Sequence, residues 1–292
     1  MASPFSDSAQ PRVAVVTVSY GSASVLTGFL ESIPVASSHP LFTVVADNKG
    51  DGPGNVRDLT TSHNASYLSL PSNLGYGGAV NAAMETVPDS VDWLLVSNPD
   101  VVLSPGSIDE LVSAAESDAA IGSVGPLIRT AEGTVYPSAR AVPSLRTGVG
   151  HALFVNLWGE NPWTRAYRRD TSAPEEQRDA GWLSGACLLV RRTAFEELGG
   201  FDEAFFMYFE DVDLGYRLGR SGWQNRYVPS AVVTHTGAHS TSTESGRMIE
   251  AHHHSAYRYL SRKYRGWYLA PLRWSLGIGL RARAWWLTRA GH

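Results

Sequence analysis

An α/β fold on a parallel sheet is what the 292 residues predict. Three observations carry that expectation. Short β-rich apolar runs alternate with helical stretches over roughly 120 residues from the N-terminus. The runs are continuous rather than alternating, as in strands buried on both faces. Each is followed by a polar break, and ligands of parallel sheets bind at such carboxyl ends. Apolar residues make up 43% of the chain and charged residues 18%, which supplies a core and excludes a disordered or fibrous chain.

Val13 to Val18 is the first buried strand, broken at Tyr20-Gly21-Ser22. Ser24 to Ile33 reads as a helix that stops before Pro34. Leu41 to Ala46 is a second strand, closing on Asp47-Asn48. A third lies near Tyr67 to Leu70, and Ala79 to Val87 is a helix. Trp93 to Val96 is a fourth strand, ending at Ser97-Asn98-Pro99-Asp100. Ser107 to Glu116 is the next helix. After Ile121 the pattern weakens, and Gly133 to Asp179 reads as long ordered loops rich in Pro, Gly and aromatics. Trp182 to Val190 is strand-like. Thr193 to Leu198 and Asp211 to Arg220 are helices closed by glycine. Trp223 to Val228 and Ala231 to Val233 are short strands, and Arg247 to Tyr264 is a basic helix. The simplest division is a disordered segment 1–11, one domain over 12–245 and a helical C-terminal extension over 246–292.

Cys187 stands alone, which excludes an internal disulfide and a Cys-based zinc cluster and fits a reducing compartment. Met1 to Pro11 is polar and lacks the apolar core of a secretory signal. No run of about 18 uncharged apolar residues predicts a membrane span. Charge is unevenly placed. Eight of the 24 basic residues and none of the 28 acids lie in 251–292, leaving the first 250 residues at −12. Four of the nine Trp share that tail: Trp267, Trp274, Trp285 and Trp286. Cations interleaved with indoles suit an anionic membrane surface. The plainer alternative is a helical pair packed by its aromatics. The acidic body argues against a nucleic-acid partner.

Several short motifs have chemical potential beside a bland reading. Asp100 in Asn98-Pro99-Asp100 can hold a divalent metal that neutralises a diphosphate, or mark a simple turn. The glycines of Asn73-Leu74-Gly75-Tyr76-Gly77-Gly78 let backbone amides approach a phosphate, or only lead the chain into a helix. Their spacing is not the dinucleotide fingerprint, which removes a nicotinamide dehydrogenase. Glu210-Asp211-Val212-Asp213 complements a helix dipole. The aromatic run Phe205 to Phe209 beside it can instead raise a carboxylate toward general-base duty. His235 ends an apolar strand, where a structural histidine and a metal ligand are both open. His252-His253-His254 is no metal site by spacing. Asn64-Ala65-Ser66 is taken as a chance glycosylation match, and no nucleophile elbow appears.

Together these segments resemble glycosyltransferase family 2, whose members are inverting, metal-dependent enzymes with the GT-A nucleotide-sugar-binding fold, which implies a mixed, mostly parallel sheet. The likeness rests on Val16 to Tyr20, Ala46-Asp47-Asn48, Asn73 to Gly78, Asn98-Pro99-Asp100, Trp182 to Ala186 and Gly200-Phe201-Asp202 through Asp213. Further segments, including Val135 to Arg140, Asn161 to Thr164, Ala166 to Arg168 and Gly266 to Trp274, resemble the family's actinobacterial rhamnosyltransferases of the cell-wall linker. That likeness implies a dTDP-L-rhamnose donor, a polyprenyl-diphosphate-linked GlcNAc acceptor and a cytoplasmic enzyme, peripheral on the inner face of the plasma membrane.

The resemblance also implies roles. Asp211 is the catalytic base and Glu210 orients it or meets the acceptor. Thr17, Tyr20, Asp47, Asn73, Gly75, Gly77, Asn81, Asn98 and Asp100 line the donor. Trp182, Ser184 and Gly185 lie near the acceptor. Asp100, with His235 as a second ligand, holds Mg2+ or Mn2+. Asn98 stands where many relatives carry Asp, so the diphosphate is expected to supply much of the coordination. A galactofuranosyltransferase and a non-catalytic nucleotide-sugar binder are the rival readings.

Overall fold

The computed structural model describes residues 10–50, 55–144, 176–237 and 245–290. The expectations for 1–9, for much of the aromatic loop and for His239 lie outside the described residues. The α/β expectation holds. Strand β1 (Val13–Ser19) is buried along its whole length and pairs in parallel with β2 (Leu41–Asp47) and β4 (Trp93–Ser97). β3 (Ser66–Ser69) extends the parallel edge beside β2. The other half is mixed. It comprises β5 (Val101–Leu103), β6 (Ile121–Thr130), β7 (Val135–Tyr136), β9 (Arg178–Ala180), β11 (Cys187–Arg191) and β12 (Gln224–His235), in a ten-stranded sheet with central order β3-β2-β1-β4-β11-β6-β12-β5. β8 (Ala139–Arg140) and β10 (Trp182–Leu183) form a small separate pair.

The period of two along β1 builds both layers of core. Val13 and Val15 face a cluster with Leu26 and Phe29 of α1 (Ala23–Ala36) and Ile108 and Leu111 of α4 (Ser107–Glu116). Ala14 and Val16 face the other layer. It holds Ala79 and Val80 of α3 (Gly75–Met84), Phe195 of α5 (Arg192–Glu197), and Leu214 and Leu218 of α6 (Glu210–Arg220). Each fully buried Leu or Phe contributes roughly 1.5–3 kcal/mol. The short α2 (Val56–Ser62) adds Val56 to the first layer.

Four expectations are corrected. α1 runs past Pro34, because burial of Ile33 and Ala36 outweighs the one N–H that proline forfeits in a last turn. β6 is a ten-residue strand although Gly122, Gly125 and Pro126 interrupt its apolar run; Pro126 lies against Val228, where β12 bulges. The expected strand 182–190 is split at Ser184-Gly185-Ala186 into β10 and β11. The two expected strands after Trp223 are one, β12.

The C-terminal segment is helical, as expected: α7 (Ser245–Lys263), a 3-10 turn (Trp267–Leu269) and α8 (Ala270–Ala290). α7 packs on the body. Tyr259 joins Phe205 and Val212 in a third cluster. Arg262 pairs with Asp202, and Lys263 Nζ donates to the Pro143 carbonyl at 2.6 Å. Among the described residues no helix is long and apolar enough to cross a membrane.

Candidate active site

The carboxyl ends of β1, β2 and β4 bring together residues far apart in sequence. Asp47 ends β2 and is buried; its Oδ2 accepts the Tyr67 hydroxyl at 2.9 Å and its Oδ1 the Lys49 N–H at 3.1 Å. Those two donors set the direction of the carboxylate. Tyr20 follows β1 and is exposed at the mouth, whereas Thr17 is fully buried within β1 with its Oγ1 unpartnered.

Asn48, a residue the sequence reading passed over, ties the glycine loop to this edge. Its Nδ2 donates to the Gly75 carbonyl at 2.9 Å and its Oδ1 accepts the Leu74 N–H at 3.1 Å. Asn73 Oδ1 accepts the Gly75 N–H at 3.0 Å. α3 therefore begins at Gly75 rather than at Ala79. Gly75 has φ +75°, and a Cβ there would stand 2.2 Å from the Phe206 carbonyl oxygen. A Cβ on Gly77 would stand 2.8 Å from Phe201 Cβ. Both glycines are buried, and they admit the 201–206 segment instead of leaving an open cradle. Asn81, expected at the donor, is used in the same packing. Its Nδ2 donates to the Phe201 carbonyl at 2.9 Å and its Oδ1 accepts the Phe201 N–H at 2.9 Å.

Asp100 and His235 meet, 135 residues apart, because β12 pairs with β5 directly after the Asn98-Pro99-Asp100 turn. His235 Nε2 lies 3.0 Å from Asp100 Oδ1, and Asn98 Nδ2 lies 3.4 Å from the same nitrogen. No group of three or more His, Cys, Asp or Glu able to hold a metal occurs among the described residues. The pair nonetheless suits a divalent ion that takes its remaining ligands from elsewhere. Two neighbouring ligands about 2.1 Å from an octahedral ion stand about 3 Å apart, and one carboxylate oxygen with one imidazole nitrogen is a common donor set.

Ser184-Gly185-Ala186 joins this end to the base of α6. The Ala186 carbonyl accepts from Asn98 N–H at 2.9 Å and Ser97 Oγ at 3.2 Å. The Gly185 carbonyl accepts the Tyr76 hydroxyl at 2.8 Å, and its N–H donates to Asp211 Oδ2 at 2.9 Å. Gly185, expected at the acceptor, thus lies against Asp211. Ser184 is buried in scaffold contacts, its Oγ accepting the Ala186 N–H at 3.3 Å. The Trp182 indole, also expected at the acceptor, donates to the Ala141 carbonyl at 3.1 Å and packs in the third cluster.

Glu210 and Asp211 are a buried pair at the start of α6. Tyr208 and Phe209, just before them, sit in left-handed backbone at φ +65° and +66°, a strain of about 1–3 kcal/mol each. α7 holds that turn: Ser255 Oγ donates to the Met207 carbonyl at 2.9 Å, and His252 lies edge-on to both rings. Ser255 carried no signal in the sequence, and His252 stood out only as part of a triplet that is no metal site by spacing. Burial first, then the charge of Asp211, pushes Glu210 up to about 8. Burial also raises Asp211, but the N–H groups of Gly185 and Val212 and the charge of Arg140 favour its anion. Glu210 Oε2 has no partner. The two titrate as a pair, and the proton they share is favoured on Glu210, whose Oε2 lacks a donor, over Asp211, whose carboxylate accepts two N–H groups.

The sign of the pH effect follows. The folded pKa of Glu210 lies above its ordinary 4.5, so folding favours the protonated form; that stability is full below pH 4.5 and lost as pH rises toward 8. Glu210→Gln is expected to flatten this fall, with a Tm roughly 5 °C or more above the wild type at pH 9 and little difference at pH 5. Equal Tm values at both pH values would place the proton elsewhere.

A doubly covered sheet with acids at its strand ends, facing a helix headed by a buried carboxylate pair, is a GT-A-like fold of the kind used by nucleotide-sugar glycosyltransferases. The chain belongs to the glycosyltransferase-like family 2, whose model matches residues 11–253. It is 46% identical over 286 residues to N-acetylglucosaminyl-diphospho-decaprenol L-rhamnosyltransferase of Mycobacterium tuberculosis, covering 94% of this chain and 92% of that protein. It is 27% identical to rhamnosyltransferase WbbL of Escherichia coli, covering 86% of this chain and 93% of that one. Among solved structures, the mannosyltransferase PcManGT from Pyrobaculum calidifontis, in complex with GDP-Man and Mn2+, superposes with a TM-score of 0.60. The match covers 97% of this chain and 76% of that one at 16% identity. The resemblance in fold and family is thereby established.

Proposed function

We propose that this glycosyltransferase moves L-rhamnose from dTDP-L-rhamnose onto the GlcNAc of a polyprenyl-diphosphate acceptor, with inversion at the anomeric carbon. The observation that carries the reading is 46% identity sustained along 94% of the chain to an enzyme named for that acceptor and sugar. Asp47 is assigned to the nucleobase, held in place by Tyr67 and Lys49. Asn73 and Leu74, exposed at the head of the glycine loop, with Tyr20 and Asn98, border the nucleotide and sugar.

Asp100 and His235 would hold Mg2+ or Mn2+. When bound, such an ion neutralises charge on the leaving diphosphate. Asp211 takes the proton of the acceptor hydroxyl at its carboxylate oxygen, while the Gly185 N–H fixes its direction. Glu210, protonated, avoids a second negative charge beside it and stands toward the acceptor. Attack on the face opposite the diphosphate inverts the sugar. A donor screen with dTDP-L-rhamnose, UDP-galactofuranose and UDP-GlcNAc on a lipid-diphosphate GlcNAc acceptor tests the reading. Transfer from dTDP-L-rhamnose is expected to lead by about ten-thousandfold, the scale of discrimination when a pocket's polar groups would otherwise be left unpaired. Preference for UDP-galactofuranose would overturn the donor assignment.

The acceptor's lipid stays in a bilayer, so the enzyme works at the inner face of the plasma membrane. Trp267, Trp274 and Ile278 support this: they are 86%, 75% and 71% exposed on the last turn and α8. Three of the eight tail cations are engaged internally: Arg262, Lys263, and Arg273, which donates to the Tyr264 and Gly266 carbonyls. Deleting 267–292 while keeping α7 is expected to lower sedimentation with anionic vesicles at least tenfold. Turnover of a short-chain, water-soluble acceptor should survive in a protein whose circular dichroism shows it folded. Equal vesicle binding by both folded proteins would refute the membrane role.

A further inference from the structure

A second concavity, of about 750 Å³, opens between α6 and α7. Its wall carries six cations, Arg217, Arg220, Arg258, Arg262, Lys263 and Arg265, against one acid, Asp213. Some of this charge is met internally. Arg217 is taken up by Asp213 at 2.6 Å and by the Leu198 and Gly200 carbonyls, Arg262 pairs with Asp202, and Lys263 donates to the Pro143 carbonyl and lies over the Tyr216 and Tyr259 rings. Among the described residues no carboxylate pairs with Arg220, Arg258 or Arg265. Two hydroxyls in the same wall are also unmet. Tyr259 is 1% exposed with its OH unpartnered, and Ser261 Oγ has no partner. A buried donor left unsatisfied is costly, and here two of them share a cavity with an excess of guanidinium groups.

At 3.6 residues per turn, Asp213, Tyr216, Arg217 and Arg220 lie roughly 140–240° around α6 from Asp211. The cavity is therefore on the back of the catalytic helix, away from the hydroxyl that reacts and from Asp100. We propose that this cavity is a second phosphate-binding site, distinct from the donor site. The guanidinium groups of Arg220, Arg258 and Arg265 pair with phosphate oxygens, and the Tyr259 hydroxyl donates to the same group. The chain leaves the cavity rim at Arg265 and enters the exposed Trp267-Tyr268 turn, so an anionic phospholipid headgroup is the source favoured. That part rests on the membrane-surface reading above; the phosphate chemistry does not.

The test uses the full chain in EDTA, so that no metal-loaded donor site competes. In one arm, inorganic pyrophosphate is titrated calorimetrically. Arg220→Ala with Arg258→Ala is expected to weaken binding about fivefold per arginine, and Tyr259→Phe to weaken it further. In the other arm, phosphatidylglycerol and phosphatidylcholine vesicles are compared by flotation. The same double variant should lose phosphatidylglycerol binding by a similar factor and, with metal restored, keep its turnover of a short-chain acceptor. Loss of pyrophosphate binding with vesicle binding intact would assign the site to a soluble phosphate ligand and reject the lipid source. Unchanged binding in both arms would overturn the proposal, even if deletion of 267–292 still detached the enzyme from vesicles. Arg220 is exposed and its loss spares the core, so the double variant decides the matter should Tyr259→Phe unfold.

Discussion

Asp211→Asn is expected to lower kcat by about two to four orders of magnitude while leaving donor affinity within about twofold of the wild type. The amide keeps the shape of the carboxylate, and its oxygen still accepts the Gly185 N–H that now meets Oδ2 at 2.9 Å. It cannot take the proton of the acceptor hydroxyl. Donor affinity is read by calorimetry and kcat by sugar transfer, so a folding defect and a chemical defect separate. The same substitution releases the neighbouring carboxyl. Without the charge of Asp211 beside it, Glu210 retains its burial but loses one of the two causes that hold it up at about 8. Near-normal turnover in Asp211→Asn would move the base to Glu210.

Asp100→Ala is expected to raise the donor KM by about a hundredfold or more, and a chelator to stop the wild type reversibly. The carboxylate is one of two groups, with His235, placed to hold a divalent ion, and no third is at hand among the described residues. Losing one of two protein ligands should therefore weaken the ion and the diphosphate together. His235→Ala should be milder, since a neutral nitrogen contributes less than an anion to holding a hard cation. Full activity in excess EDTA would reduce Asn98-Pro99-Asp100 to a turn and remove the metal from the mechanism.

How much of this was legible before folding differs from residue to residue. Asp47 and Asp100 could be picked out because they directly follow uninterrupted apolar runs, and a strand buried on both faces must end in a polar break near solvent. The acids at 210–213 stood out as a cluster at a helix start behind an aromatic run, but the choice of Asp211 among them came from the family resemblance. The contact of Asn81 was not legible: its amide binds both polar groups of Phe201, 120 residues away. No local pattern distinguishes that amide from one facing a sugar. The Trp182 indole is likewise tied to a distant backbone group, the Ala141 carbonyl, and the Ser184 hydroxyl to the nearby Ala186 N–H. Asn48 and Ser255 were missed because a side chain that clamps a distant backbone leaves no period and no motif.

Local physics was enough for the alternation of strands and helices, the parallel half of the sheet and the acids at its strand ends, because these depend on neighbours one to four positions apart. The placing of His235 against Asp100, and of Gly185 between Tyr76 and Asp211, depended instead on β12 and β11 finding their partners across the sheet. So did the state of the carboxyl pair. Glu210 is neutral near pH 7 only because packing from α3, α6 and α7 excludes water from it, and desolvation is a property of the assembled core that no stretch of sequence carries alone.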